Sequence, residues 1–204
     1  MNMAQEQFVF SKNVIEFVTV AAETCLFLEN SAELPKTEFI STCTKILPLL
    51  YLKTSLVDAS ELDTDGNIEH FVTEEDYLYV KDQVESILGT DDSYLEVFHP
   101  DMAYSDTPIA AFISENLADI YQELKDFAAN YSIGEEEIME IALQVCLVTF
   151  AEHWGQKLLN ALRAIHAVRY SDNFGSEEDD TGLNPKDYRK LDRDSFLKFQ
   201  TEEE

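Results

Sequence analysis

The chain has 204 residues, a formal net charge of −27, and only six glycines and five prolines. That length suits one domain, or one domain with a tail, and lets a core form without covalent staples. The charge excludes a surface for nucleic acid or anionic membranes, and no segment approaches the roughly 20 uncharged apolar residues of a membrane span.

The N-terminal MNMAQEQFVFSKN has no basic stretch followed by a long apolar run. A secretory leader is therefore not expected, and the protein is read as soluble and cytoplasmic. Over residues 12–29, Val14, Ile15, Val18, Ala21, Ala22, Cys25 and Leu26 recur at steps of three and four. That periodicity predicts an amphipathic helix. A second helix is predicted from Pro35 to Leu56, with Phe39, Ile40, Cys43, Ile46, Leu47 and Leu50 inward and a kink at Pro48.

The stretch ELDTDGNIEH resembles the opening of a calcium loop. Glu61, Asp63 and Asp65 fall at ligand positions 1, 3 and 5, Gly66 at 6, but Val72 stands where the closing bidentate Glu belongs. Val72 is better explained by the next helix, which Thr73 caps and Asp76 supports three residues on. No metal site is expected. That third helix ends at Gly89.

Turn formers and aromatics fill TDDSYLEVFHPDMAYSDTP, and a fourth helix is predicted from Pro108, capped by Thr107, to about Tyr131. Its apolar side carries Ile113, Leu117, Ile120, Leu124, Phe127 and Ala128, and its polar side Glu115, Asp119, Gln122, Glu123 and Asp126. After Gly134 a fifth helix opens on three glutamates, suited to the positive end of its dipole. From Ile138 to Ala151 it is apolar nearly all round, so other helices should surround it. It runs on to Tyr170 with a bend expected at Gly155.

The expected architecture is an all-α bundle of about five main helices, with a long central last helix. Residues 1–170 form the bundle, and residues 171–204 an acidic linker with a short terminal helix or tail. The bundle carries a charge of −21, from 30 acidic and 9 basic side chains, and the tail −6. Cys25, Cys43 and Cys146 are spaced too far apart for a metal or redox pair and lie in apolar patterns. They read as reduced core residues.

Motifs for catalysis are missing from the sequence. None of His70, His99, His153 and His166 follows a Glu by three residues, as a di-iron bundle requires, and there is no G-x-S-x-G, H-E-x-x-H or glycine-rich phosphate loop. No cofactor is expected. The most suggestive polar set is His153, Gln156, Asn160, Arg163 and Tyr170 on one face of the last helix, flanked by His166 and Arg169. Arg163 and Arg169 could pair with Glu115 or Asp119, or meet a ligand beside His99, Asp101, Tyr104 and Asp106. Trp154 falls on the opposite, apolar side.

VFHPDMAYSDTPIAAFISENLADIYQELKDF and FAEHWGQKLLNALRAIHAVRY resemble an uncharacterised bacterial family of acidic proteins, a domain of unknown function, over most of residues 5–170. The resemblance implies a bacterial cytoplasmic origin and no chemistry. Two functional readings stand. In the first, a non-enzymatic helical protein docks another, basic protein through its acidic surface, including Glu115, Asp119 and Glu123. In the second, a small-molecule or enzymatic pocket forms where residues 98–107 meet Arg163 and His166.

Overall fold

A computed structural model describes residues 8–58, 60, 62, 66–96, 109–172 and 174–175. The chain divides into two compact units, Met1–Asp172 and Asn173–Glu204, and every helix and strand below belongs to the first. Helix α1 spans Lys12–Glu29 and buries Val14, Phe17, Ala21, Thr24, Cys25 and Leu28. Its stripe is thus rotated from the predicted one, since Ile15 and Leu26 are about half exposed. The reason is Phe17, which stacks on Phe127 at 5.1 Å between ring centroids and takes the core position. An aromatic pair of that geometry contributes about 0.5–1.5 kcal/mol beyond its buried area.

Helix α2 spans Lys36–Ser55 and continues past Pro48, with Phe39, Ile40, Cys43, Leu47 and Leu50 buried. Pro48 is on the solvent side, where its ring meets the least crowding. Helix α3, Glu74–Leu88, has the predicted capping box: the Asp76 amide donates to Thr73 Oγ1, and Asp76 accepts from the Thr73 amide. Gly89 ends it at φ 58°.

A two-stranded antiparallel ladder follows, which the helical reading did not anticipate. Strand β1, Ser93–Glu96, pairs with β2, Ile109–Phe112, with Ser93 opposite Phe112. Helix α4 consequently spans Ile113–Ser132 and starts later than predicted. The proposed cap at Thr107 and Pro108 lies outside the described residues. The start of α4 is held instead by Asp92, whose carboxylate accepts from the Ser114 amide and hydroxyl, both at 2.7 Å. Its carbonyl accepts from the Ile113 amide at 2.9 Å. Buried Asp92 therefore caps the helix from a distance in sequence.

Helix α4 packs against α1 and α3, and against α5 (Glu136–Thr149) and α6 (Gly155–Arg169). Between α5 and α6, Phe150–Trp154 forms a π-helical turn, so the long last helix is present and its irregularity is the turn that immediately precedes Gly155. The run Ile138–Ala151 is enclosed on one face, with Met139, Ala142, Leu143 and Cys146 buried and Val148 47% exposed. Trp154 is fully buried and donates from Nε1 to the Cys146 carbonyl at 3.0 Å. The bundle is all-α apart from the short ladder.

Asp126, placed on the polar side of its helix by its sequence position, is in fact buried. Its Oδ1 accepts from the Phe71 and Val72 amides at 2.7 and 2.9 Å, and its Oδ2 meets His70 Nδ1 at 2.9 Å. One turn on, Asn130 accepts from the Glu69 amide and donates to the Glu69 carbonyl. These two side chains hold the extended segment 69–72 as a neighbouring strand would. Val72 is a helix-entry residue gripped by Asp126; Glu61, Asp63 and Asp65 of the calcium-like stretch lie outside the described residues.

Candidate functional site

Helices α2 and α6 run antiparallel. Tyr51 meets Phe150 edge-on at 5.2 Å, and toward the other end Thr44, Lys45 and Pro48 face the second half of α6. Between them is a groove of about 600 Å³, whose α6 wall is Leu159, Leu162, Arg163, His166, Arg169 and Tyr170. These α6 residues recur at steps of three and four, so one helix face supplies the whole wall.

Its electrostatics follow from where the cations go. Nine Lys and Arg side chains lie in residues 8–175. Six are ion-paired: Lys12 and Lys53 with Glu16, Lys36 with Asp91, Lys81 with Glu85, Lys125 with Glu29, and Lys157 with Asp119. The other three, Lys45, Arg163 and Arg169, have no carboxylate partner among the described residues, and all three line this groove. Among the described residues, the cations without a carboxylate partner thus share one place.

Arg169 is the most constrained of the three. Its guanidinium lies 5.8 Å from the Tyr170 ring centroid, and Tyr170 also packs on the His166 ring at 4.6 Å. Its Nη1 is buried with no hydrogen-bond partner among the described residues. A buried unsatisfied donor costs about 1–3 kcal/mol, more for a charged group, so an acceptor arriving there is favoured. Arg163 is exposed; the Tyr94 phenol of β1 is raised by burial and lowered first by its hydrogen bond with Asn116, with the Arg163 charge a smaller influence.

Of the residues singled out in the sequence, Arg163, His166, Arg169 and Tyr170 come together here, whereas His153 and Gln156 do not line the groove. Asn160 instead donates to Glu96 Oε1 at 2.9 Å, tying α6 to β1. Neither Arg163 nor Arg169 pairs with Glu115 or Asp119. Asp119 is taken by Lys157 at 2.6 Å and by the Tyr77 hydroxyl at 3.0 Å, Glu123 accepts from Thr149 Oγ1 at 2.8 Å, and Glu115 is exposed. His99, Asp101, Tyr104 and Asp106 lie outside the described residues.

The wall that sequence reasoning missed is α2, with Thr44, Lys45 and Pro48. A signal was present: Lys45 is the lone cation on the outer face of a helix whose outer face is otherwise rich in leucine. The cysteines are buried as expected, and desolvation pushes the Cys25 thiol up to about 12 and raises the Cys43 and Cys146 thiols as well, which makes them unreactive. Among the described residues no group of three or more His, Cys, Asp or Glu side chains could hold a metal ion, and no helix is long and apolar enough to cross a membrane.

Fold and groove together define a helical domain whose α2–α6 groove is lined by Lys45, Arg163 and Arg169. The chain belongs to a family described as a domain of unknown function, DUF5063, which matches residues 8–171. The crystal structure of protein BF1032 from Bacteroides fragilis, a Northeast Structural Genomics Consortium target, is similar to it at 46% identity. The match covers 81% of this chain and 97% of that one, with a TM-score of 0.72. No curated protein matches the chain. The family resemblance drawn from the two sequence segments is thereby borne out.

Proposed function

We propose that this protein is a cytoplasmic, non-catalytic binding module that receives an anionic group in the groove between α2 and α6. One observation carries the reading: the three described cations without a carboxylate partner all line that groove. Arginine supplies a planar fork of donors that suits carboxylate and phosphate oxygens, and lysine adds a compact point charge. Each charge-assisted hydrogen bond contributes about 1.5–3 kcal/mol, so losing one costs about tenfold or more in affinity. Titration with inorganic phosphate, followed by amide NMR shifts, should perturb α6 around Arg163–Tyr170 and α2 around Thr44–Pro48. The K45Q/R163Q/R169Q variant should lose at least about tenfold of that affinity while keeping its fold, because no described ion pair depends on these residues. Unchanged phosphate affinity in the variant would remove the reading.

A second reading keeps the basic protein partner and moves its place. Glu136, Glu137 and Glu140 crowd the first turns of α5, and the Glu140 carboxyl is raised by burial and then by its two neighbours. An incoming cation would relieve that crowding. By contrast, Asp119 and Glu123 are engaged inside the fold, so reversing them would break internal contacts as well. With a lysine-rich peptide as probe, E136Q/E137Q/E140Q should slow association at low salt. The difference should fade as the Debye length falls from about 30 Å at 0.01 M to about 8 Å at 0.15 M. An association rate indifferent to both would leave the charge as a solubility device.

A further inference from the structure

We propose that the occupant of the groove is an amphipathic helix of another protein, acidic at one end and aliphatic along one face. This rests on the reading of the groove as an anion seat and adds what carries the anion. Along α2, positions 45, 48, 49, 52 and 56 follow steps of three and four, so Leu49, Leu52 and Leu56 share the face that brings Lys45 and Pro48 to the groove. Folding leaves all three leucines in water, at 42%, 51% and 46% exposure. On the facing wall Leu159 is 40% exposed. Helix α2 therefore has two apolar stripes: one buried through Phe39, Cys43, Leu47 and Leu50, the other open and beginning where the cations end.

Lys45 to Leu56 spans about 16 Å at 1.5 Å per residue, roughly three turns of helix. A helix of that length laid along the stripe buries leucines on Leu49 and Leu52 and delivers its acidic end to Lys45, Arg163 and Arg169. Charge complementarity selects the partner. Nucleic acid brings phosphates but no aliphatic face, and a basic helix would meet the three cations that line the groove. A small free anion would leave the leucine stripe open.

The test uses the full-length protein and four probes: inorganic phosphate and three synthetic peptides of about 14 residues, enough for the three turns needed. The first peptide has glutamates in its first turn followed by leucines at steps of three and four. The second has the same composition with the leucines scattered round the helix, and the third replaces its glutamates by lysine. The ordered acidic peptide should bind at least about tenfold tighter than either of the others. In L49Q/L52Q, changed only at exposed positions, the ordered peptide should lose at least about tenfold while phosphate affinity stays the same. K45Q/R163Q/R169Q should lose both ligands. Equal affinity for ordered and scattered peptides, or an L49Q/L52Q variant that binds the ordered peptide as wild type does, overturns the helix proposal and leaves the anion seat standing. Absence of phosphate binding to the wild-type groove overturns the seat and the proposal together.

Discussion

Asp126→Ala is expected to lower the free energy of unfolding by roughly 2–4 kcal/mol, measured by urea denaturation. The change removes a buried acceptor and leaves the Phe71 and Val72 amides, which it bonds at 2.7 and 2.9 Å, without a partner. Each such donor costs about 1–3 kcal/mol unless water reaches it, and Phe71, 42% exposed, sits where water can reach one side. Asp126→Asn separates geometry from charge. Its amide oxygen can still accept from both backbone donors, so most of the stability should survive. Hydrogen exchange locates the effect: the amides of residues 69–72 should lose protection in the alanine variant before those of α4. If the alanine variant lost less than about 1 kcal/mol, segment 69–72 would be held by its apolar contacts, and the carboxylate would be incidental.

Much of this fold is legible in the sequence because local chemistry decides it. The Thr73–Asp76 box and Gly89 bound α3 by hydrogen bonds and by a positive φ, both properties of single residues. What escapes is set by distant partners. Asp126 follows the polar period of α4, yet it is buried because Phe71 and Val72 bring it backbone donors from outside the helix. Ile109–Phe112 reads as the first turn of a helix, and becomes a strand because Ser93–Glu96 offers a ladder and Asp92 caps α4 later. The groove shows the same division. Arg163, His166, Arg169 and Tyr170 stand out on one helix by spacing, whereas the opposite wall depends on which way α2 and α6 pack. Nor does composition reveal that Lys157 claims Asp119 and leaves Arg163 without a carboxylate partner among the described residues.

The charge also gains a clearer meaning from the pairing pattern. Six of the nine basic side chains in residues 8–175 are spent on tying acids down, several across helices, such as Lys125 to Glu29 and Lys53 to Glu16. Exposed pairs of this kind contribute only about 0–1 kcal/mol each. Their larger effect is on the field: among the described residues they neutralise the cations outside the groove between α2 and α6. The groove gathers the other three described cations in a chain of net charge −27, and charge contrast of that kind favours the right partner over others more than it adds raw affinity.

Gly155→Ala is expected to be among the most damaging single changes in the bundle, because a methyl group at that position has nowhere to go. A Cβ at residue 155 would press into the Phe150 carbonyl oxygen, and lie 3.0 Å from two carbons of the Phe150 ring. The same oxygen accepts the Gly155 amide, closing the π turn. The obstacle is backbone and cannot move aside as a side chain would. The turn also sets the phase of the helix. At 100° per residue, eight positions of unbroken α-helix would carry residue 154 about 80° away from the face of residue 146. With the π turn in place, Cys146 on α5 and Trp154, Leu158, Ala161 and Ile165 beyond it are all buried. Forcing the turn back to α-helix would swing the face of α6 that carries Arg163, His166 and Arg169. Overpacking costs about 1–3 kcal/mol, occasionally more, and the upper end is expected here. Thermal denaturation should show that loss, and phosphate titration should show weaker binding in the groove although no groove residue has changed. His153→Ala, an exposed position in the same turn, is the control and should leave both near wild type. If Gly155→Ala kept wild-type stability, the turn could accommodate a side chain. If it lost stability but bound phosphate unchanged, the phase of α6 would not be what aims the cations.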